Sequence, residues 1–116
     1  MSVVSNTSPI LNLAWIDKLD ILKQLFGTIA IPRAVAEELK ANGVEKQISG
    51  AGAWIRVNEI TNDTLCRTLC LELHSGESEA ITLAAESGAE VLLMYERKGR
   101  SVAAKLHLRA IGLGGI

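Results

Sequence analysis

The stretch Glu77-Ser78-Glu79-Ala80-Ile81-Thr82-Leu83-Ala84-Ala85-Glu86-Ser87-Gly88-Ala89-Glu90-Val91-Leu92-Leu93-Met94 decides the fold. Residues 77–87 hold no proline or glycine. Ala80, Ile81 and Ala84 fall three, four and seven positions after Glu77, the spacing of a single helix face. Gly88 then stops the helix, because glycine takes the left-handed conformation that commonly ends one. The apolar run 91–94 follows at once and reads as a strand covered on both faces, as in a parallel sheet. Helix, glycine stop and buried strand together form the repeating unit of an α/β fold.

The same alternation extends in both directions. Upstream, Asn62 or Asp63 can cap a helix running to about Leu73, and Ser75-Gly76 reads as an interruption before residue 77. Residues 54–60 alternate as a strand should, and 44–53 read as a short helix and loop. Pro32 opens a helix on which Val35, Glu38 and Leu39 share a face, closed by Asn42-Gly43. A strand at 28–31 precedes it. Residues 11–26 recur at helical spacing, with a break near Asp17 and an end at Gly27. Val3-Val4 is a short strand leading into the turn Ser5-Asn6-Thr7-Ser8-Pro9, with Ser8 placed to cap and Pro9 to begin a helix. Downstream, a helix over 103–106 and a strand over 108–111 complete the series. The expectation is one domain over 1–116: a three-layer α/β/α sandwich around a mostly parallel sheet.

Composition narrows the function. The 116 residues are 48% hydrophobic and the mean hydropathy is +0.25, which suits a filled parallel sheet or an additional buried surface such as a dimer interface. A net charge of −1 gives no global attraction to nucleic acid or membrane, so any such contact needs a local cluster. No apolar run approaches the roughly 18 residues of a membrane span, and no basic, apolar leader opens the chain. A cytoplasmic protein with reduced Cys66 and Cys70 is expected. Cys66, Cys70 and His74 recur every four residues, but on one helix the outer two would stand roughly 12 Å apart, too far for one ion. They read as core thiols and a half-buried histidine. His107 is isolated.

Open parallel sheets bind ligands beyond the carboxyl ends of their strands. The first strand delivers Ser5-Asn6-Thr7-Ser8 to that edge, and the 91–94 strand delivers Tyr95-Glu96-Arg97. Glu77 lies on the apolar face of its helix, whereas Glu79 shares a mixed face with Thr82, Leu83 and Glu86. Glu77 is either a site acid or a first-turn carboxylate answering the helix dipole. Glu38 is either a site acid or part of the solvated pattern Glu37-Glu38-Leu39-Lys40. Asn6 reads equally as a turn residue bonding its own backbone, and Tyr95 as a core or interface aromatic.

Four segments resemble the PIN-domain family, in particular the VapC toxin nucleases. They are Val3-Val4-Ser5-Asn6-Thr7-Ser8-Pro9, then Ile31-Pro32 with Ala34-Val35 and Glu37-Glu38-Leu39, then Gly76-Glu77-Ser78-Glu79-Ala80-Ile81, and finally Val91-Leu92-Leu93-Met94-Tyr95-Glu96-Arg97-Lys98-Gly99-Arg100. They occur in the family's order and span nearly the whole chain. The resemblance implies a Mg²⁺- or Mn²⁺-dependent ribonuclease, the toxin of a toxin–antitoxin pair, whose four acids fall at Asn6, Glu38, Glu77 and Tyr95, with Glu79 the alternative for the third that spacing and helix face disfavour. Two of these four are no longer acidic. An Asn6 amide can still offer a neutral oxygen, whereas a Tyr95 phenol is protonated at neutral pH and its ring is expected to fill the ion's space. Glu96 would replace it only if the strand end rotated, since adjacent strand positions point to opposite faces.

Hard ions need oxygen ligands with offsetting charge, so the resemblance implies weak metal binding at Glu38, Glu77 and Asn6 and little or no hydrolysis. Arg97, Lys98 and Arg100, with Lys105 beyond, read either as a solvated face or, in a nuclease, as holding phosphates of single-stranded RNA. The alternative is a non-catalytic module binding an antitoxin, RNA or a second subunit. Residues 108–116 resemble the end of the family's core, which in relatives usually continues into further helices. Apolar surface left without them would favour a homodimer or a bound partner.

Overall fold

The computed structural model describes residues 2–51 and 53–112. In chain order the elements are β1 (Val3–Ser5), α1 (Thr7–Trp15), α2 (Asp20–Phe26), β2 (Ile29–Pro32), α3 (Arg33–Ala41) and α4 (Glu45–Gly50). They continue with β3 (Ile55–Asn58), α5 (Asp63–Leu69), α6 (Ser75–Ser87), β4 (Val91–Leu93), α7 (Arg97–Lys105) and β5 (Ala110–Ile111). The five strands form one sheet in the order β3-β2-β1-β4-β5, and every pairing is parallel. The expected three-layer α/β/α sandwich is the observed one.

Register divides the sheet into two faces. Val3 pairs with Val91, Val4 with Leu92 and Ser5 with Leu93. Since side chains alternate along a strand, odd and even positions on these two strands face opposite layers. Val3, Val91 and Leu93 join Ile29, Ile31 and Ile55 beneath α1 to α4, burying Ile10, Leu13, Leu22, Val35 and Leu39. Val4, Leu92 and Met94 pack instead beneath α5, α6 and α7, against Leu69, Ala80, Ile81, Ala84 and Ala103. Both layers are full, so truncating a side chain such as Leu22 or Ile81 to alanine is worth about 2–5 kcal/mol.

Several boundaries differ from the sequence reading, each for a local reason. Asn6, not Ser8, is the N-cap of α1, and Pro9 lies within the first turn, where its missing N–H costs nothing. The break near Asp17 is real: the residue sits at φ +57° between α1 and α2, a conformation aspartate tolerates better than most. Asn62 caps α5, accepting from the Leu65 N–H at 3.0 Å, but the helix ends at Leu69 rather than Leu73. Cys70 therefore lies outside the helix and is exposed, which corrects its reading as a core thiol. Cys66 is buried as expected, and burial pushes its thiol up to about 11, with the neighbouring Cys70 adding to the rise. Ser75-Gly76 do not interrupt a helix but form the first turn of α6 behind the N-cap His74. Alternation fails in β3, where only Ile55 is buried, because this strand is the sheet edge. The last strand shortens to Ala110–Ile111, and residues 113–116 of the segment that resembles the end of the family's core lie outside the described residues.

Candidate active site

The ends of β1 and β4 lie side by side, held by a backbone hydrogen bond from Asn6 N to Leu93 O of 2.9 Å. Beyond them opens a cavity of about 390 Å³ lined by Asn6, Thr7, Ser8, Leu11, Glu38, Asn42, His74, Glu77 and Glu96. These residues come from four parts of the chain. The N-cap and first turn of α1 supply residues 6–8, α3 supplies Glu38, the start of α6 supplies His74 and Glu77, and the N-cap of α7 supplies Glu96.

Each carboxylate is fixed by a neighbour. Glu38 accepts from the Thr7 hydroxyl at 3.0 Å, and its other oxygen rests against Gly76, where any Cβ would collide with it. Gly76 thus allows the close approach: with no side chain on this part of the first turn of α6, the Glu38 carboxylate takes the space. Glu77 is buried, and its Oε1 accepts from the His74 N–H at 3.1 Å, as the third residue of a capping box does. Glu77 therefore takes up the first-turn role expected of it and also lines the cavity. Glu96 accepts from Asn6 Nδ2 at 3.1 Å and from the Ser8 hydroxyl at 3.1 Å.

Tyr95 is placed differently from the expectation that its ring occupies the ion's space. The alternation of β4 carries it to the α1 side of the sheet, where it packs on the core with Val91 and Leu93. Its hydroxyl is buried with no hydrogen-bond partner of normal geometry among the described residues, and it does not line the cavity. Burial raises the phenol above its ordinary value of 10.0, and the Asn12 side chain opposes part of that rise. The expectation that Glu96 needs a rotated strand end is corrected too. β4 stops at Leu93, and Glu96 reaches the cavity as an N-cap with extended backbone, φ −63° and ψ 128°.

Glu79 stands apart from this group, accepting from the Ala34 N–H at 3.0 Å at the start of α3. Glu86, two turns on, accepts from the Thr61 and Asn62 N–H groups ahead of α5. The mixed face of α6 is therefore a row of caps for neighbouring helices. Arg97 and Lys98 are exposed in the first turn of α7, beside Glu96, while Arg100 is half-buried with its guanidinium near Gly112. None of the three lines the cavity. Thr7 and Ser8 sit at the edge to which the sequence assigns them, though it gives them no role; His74 reads from the sequence as a half-buried member of a helical repeat with Cys66, but α5 ends at Leu69 and His74 is an exposed N-cap that lines the cavity.

Carboxylate, amide and hydroxyl oxygens at one sheet edge are the donor set of a hard divalent cation. Glu38 and Glu77 each engage one oxygen in a hydrogen bond, leaving the second without a hydrogen-bond partner among the described residues. Glu38, Glu77 and Asn6 thus fit such an ion chemically, as three of the residues that would hold it. Yet among the described residues no three His, Cys, Asp or Glu side chains converge closely enough to hold one ion as they stand.

A family model described as DUF3368, PIN domain, matches residues 2–116 of the chain. No curated protein matches it. Among solved structures the chain is similar to a PilT N-terminus domain protein from the hyperthermophilic archaeon Sulfolobus solfataricus P2, at 19% identity and a TM-score of 0.69, covering 97% of this chain and 87% of that one. At that identity the likeness speaks for the shared fold.

Proposed function

The chain belongs to the PIN-domain family described as DUF3368, and from that premise we propose that it is a VapC-type toxin by descent, a divalent-metal-dependent endoribonuclease with a weakened site. The observation that carries this reading is the meeting of Glu38 and Glu77, from different helices, with Asn6 at one cavity on the carboxyl edge of the sheet. When bound, Mg²⁺ or Mn²⁺ would activate a water and offset charge at a scissile phosphate. The chain's own part is to present the carboxylates of Glu38 and Glu77 as charge compensation and the Asn6 amide as a neutral ligand. Arg97 and Lys98, exposed in the first turn of α7 next to Glu96 in the chain, attract the phosphates of single-stranded RNA, together with Arg100.

A cytoplasmic antitoxin and a second copy of the chain are the proposed protein partners. The exposed Trp15 and Ile16 at the end of α1 support an apolar contact surface. A non-catalytic binding module on the same fold is favoured by one feature: the Glu96 carboxylate is already engaged at both oxygens by protein donors.

Cleavage of single-stranded RNA in Mn²⁺ separates these readings. The native chain is expected to cut weakly. Glu38→Ala and Glu77→Ala should abolish what remains, and Asn6→Asp should raise it. Vigorous cutting by the native chain would contradict a weakened site, and cutting that survives both alanine variants would contradict the site itself.

A further inference from the structure

We infer that β3 is an interface: its free edge pairs antiparallel with β3 of a second copy of this chain, about a two-fold axis at Val57, making one continuous sheet. The inference names the surface for the second-copy partner proposed above and does not depend on the metal-dependent reading. β3 ends the sheet order, and among the described residues no strand pairs with its outer side. The ladder fixes which of its main-chain groups are free. Ile29 lies opposite Ile55 and donates to the Trp54 carbonyl at 2.8 Å, so Arg56 and Asn58 turn their N–H and C=O groups toward β2. Ile55 and Val57 turn theirs outward. The Ile55 N–H is taken up by the Ala51 carbonyl at 3.0 Å, which leaves the Ile55 carbonyl and both groups of Val57 facing out. Little guards this edge: β3 holds no proline, and its one charged residue, Arg56, lies on the opposite face from Val57.

A second copy is the occupant because the edge is complementary to itself. In antiparallel self-pairing, outward groups must meet outward groups, which restricts the register. Centring on Arg56 would set two guanidiniums directly opposite, a destabilising pair, and centring on Asn58 would set Val57 against the Glu59 carboxylate. Centring on Val57 brings the two exposed valines together, exchanges both of their hydrogen bonds, and faces Arg56 with Asn58 of the other copy on the far side of the sheet. A two-fold axis normal to the sheet keeps α3 and α4 of both copies on one face. There a groove of about 320 Å³ adjoins the edge, lined by Ala36, Ile48, Ile55 and Val57 together with Lys40 and Glu45. Its two charges are opposite in sign, so two such grooves meet across the axis without a surplus of either. Main-chain bonds along the strand and apolar contact in the groove are the parts of strand addition.

Sedimentation equilibrium of the native chain and its variants tests this, with circular dichroism reporting the fold. The native chain is expected to sediment as a dimer, and Val57→Lys, which sets like charges across the axis, as a monomer at the same concentration. Val57→Pro should do the same, because it removes an outward N–H and no bond to β2. Should either variant fail to fold, a cysteine pair decides. In a Cys70→Ser background, which removes the native exposed thiol, Val57→Cys should oxidise to a disulfide-linked dimer, since directly paired Cα atoms lie about 5.5 Å apart. Arg56→Cys in that background should not, because its counterpart lies opposite Asn58. A native dimer that survives a folded Val57→Lys, or that Arg56→Cys links as readily as Val57→Cys, overturns the β3 interface. If Trp15→Ser then dissociates that dimer, the contact lies at α1 and the second-copy reading stands. A native chain that is monomeric overturns both and leaves the nuclease reading untouched.

Discussion

At the scale of single residues, Gly76 leaves room for the Glu38 carboxylate. The Glu38 carboxylate lies where a side chain on the first turn of α6 would otherwise sit, while Thr7 holds its other oxygen. In Gly76→Ala the new methyl must displace that carboxylate. Alanine also favours the helix over glycine by up to about 1 kcal/mol, which offsets the lost contact, so stability should change little. The expected outcome is a separation: a near-native melting temperature in calorimetry with Mn²⁺ affinity reduced about as much as by Glu38→Gln. A large drop in melting temperature would instead make Gly76 a packing residue. Residue by residue, the sequence disclosed the buried side of Glu77 from its spacing to Ala80, Ile81 and Ala84. It did not disclose which of Tyr95 and Glu96 faces the cavity. Alternation along 91–96 shows only that they diverge; choosing the side requires the β1–β4 register, which is a property of pairing and not of either segment.

At the scale of elements, α6 organises the molecule through three acids on its length. Glu77 caps α6 itself, Glu79 caps α3 and Glu86 caps α5. Burial of Glu86 would raise its pKa, but the N–H groups of Asn62 and Thr61 and the Thr61 hydroxyl outweigh it and hold the carboxyl below its ordinary 4.5. A carboxylate lowered on folding stabilises the folded state above its unfolded pKa, and that contribution is lost as pH falls through the folded value. Glu86→Gln should therefore reduce stability at neutral pH and flatten the fall in stability below about pH 4.5. Denaturant melts of both chains from pH 7 downward measure this, and parallel curves at all pH would contradict it. The order of elements and the caps at Asn62 and Gly88 were legible because they rest on local chemistry. The roles of Glu79 and Glu86 were not, since a mixed helix face does not announce which neighbouring helix it will cap.

At the scale of the whole molecule, the sheet brings together residues up to ninety positions apart at one edge, as in the contact of Asn6 with Glu96. No helix among the described residues is long and apolar enough to cross a membrane. The chain's net charge of −1 conceals a local contrast between an acidic cavity and the exposed Arg97 and Lys98 beside it. The most direct measurement is anomalous diffraction at the manganese edge from crystals of the Asn6→Asp protein soaked in Mn²⁺. The account predicts a peak in the cavity between Glu38, Glu77 and the carboxylate introduced at position 6, and a cavity without a peak, or manganese bound only elsewhere on the surface, would contradict it.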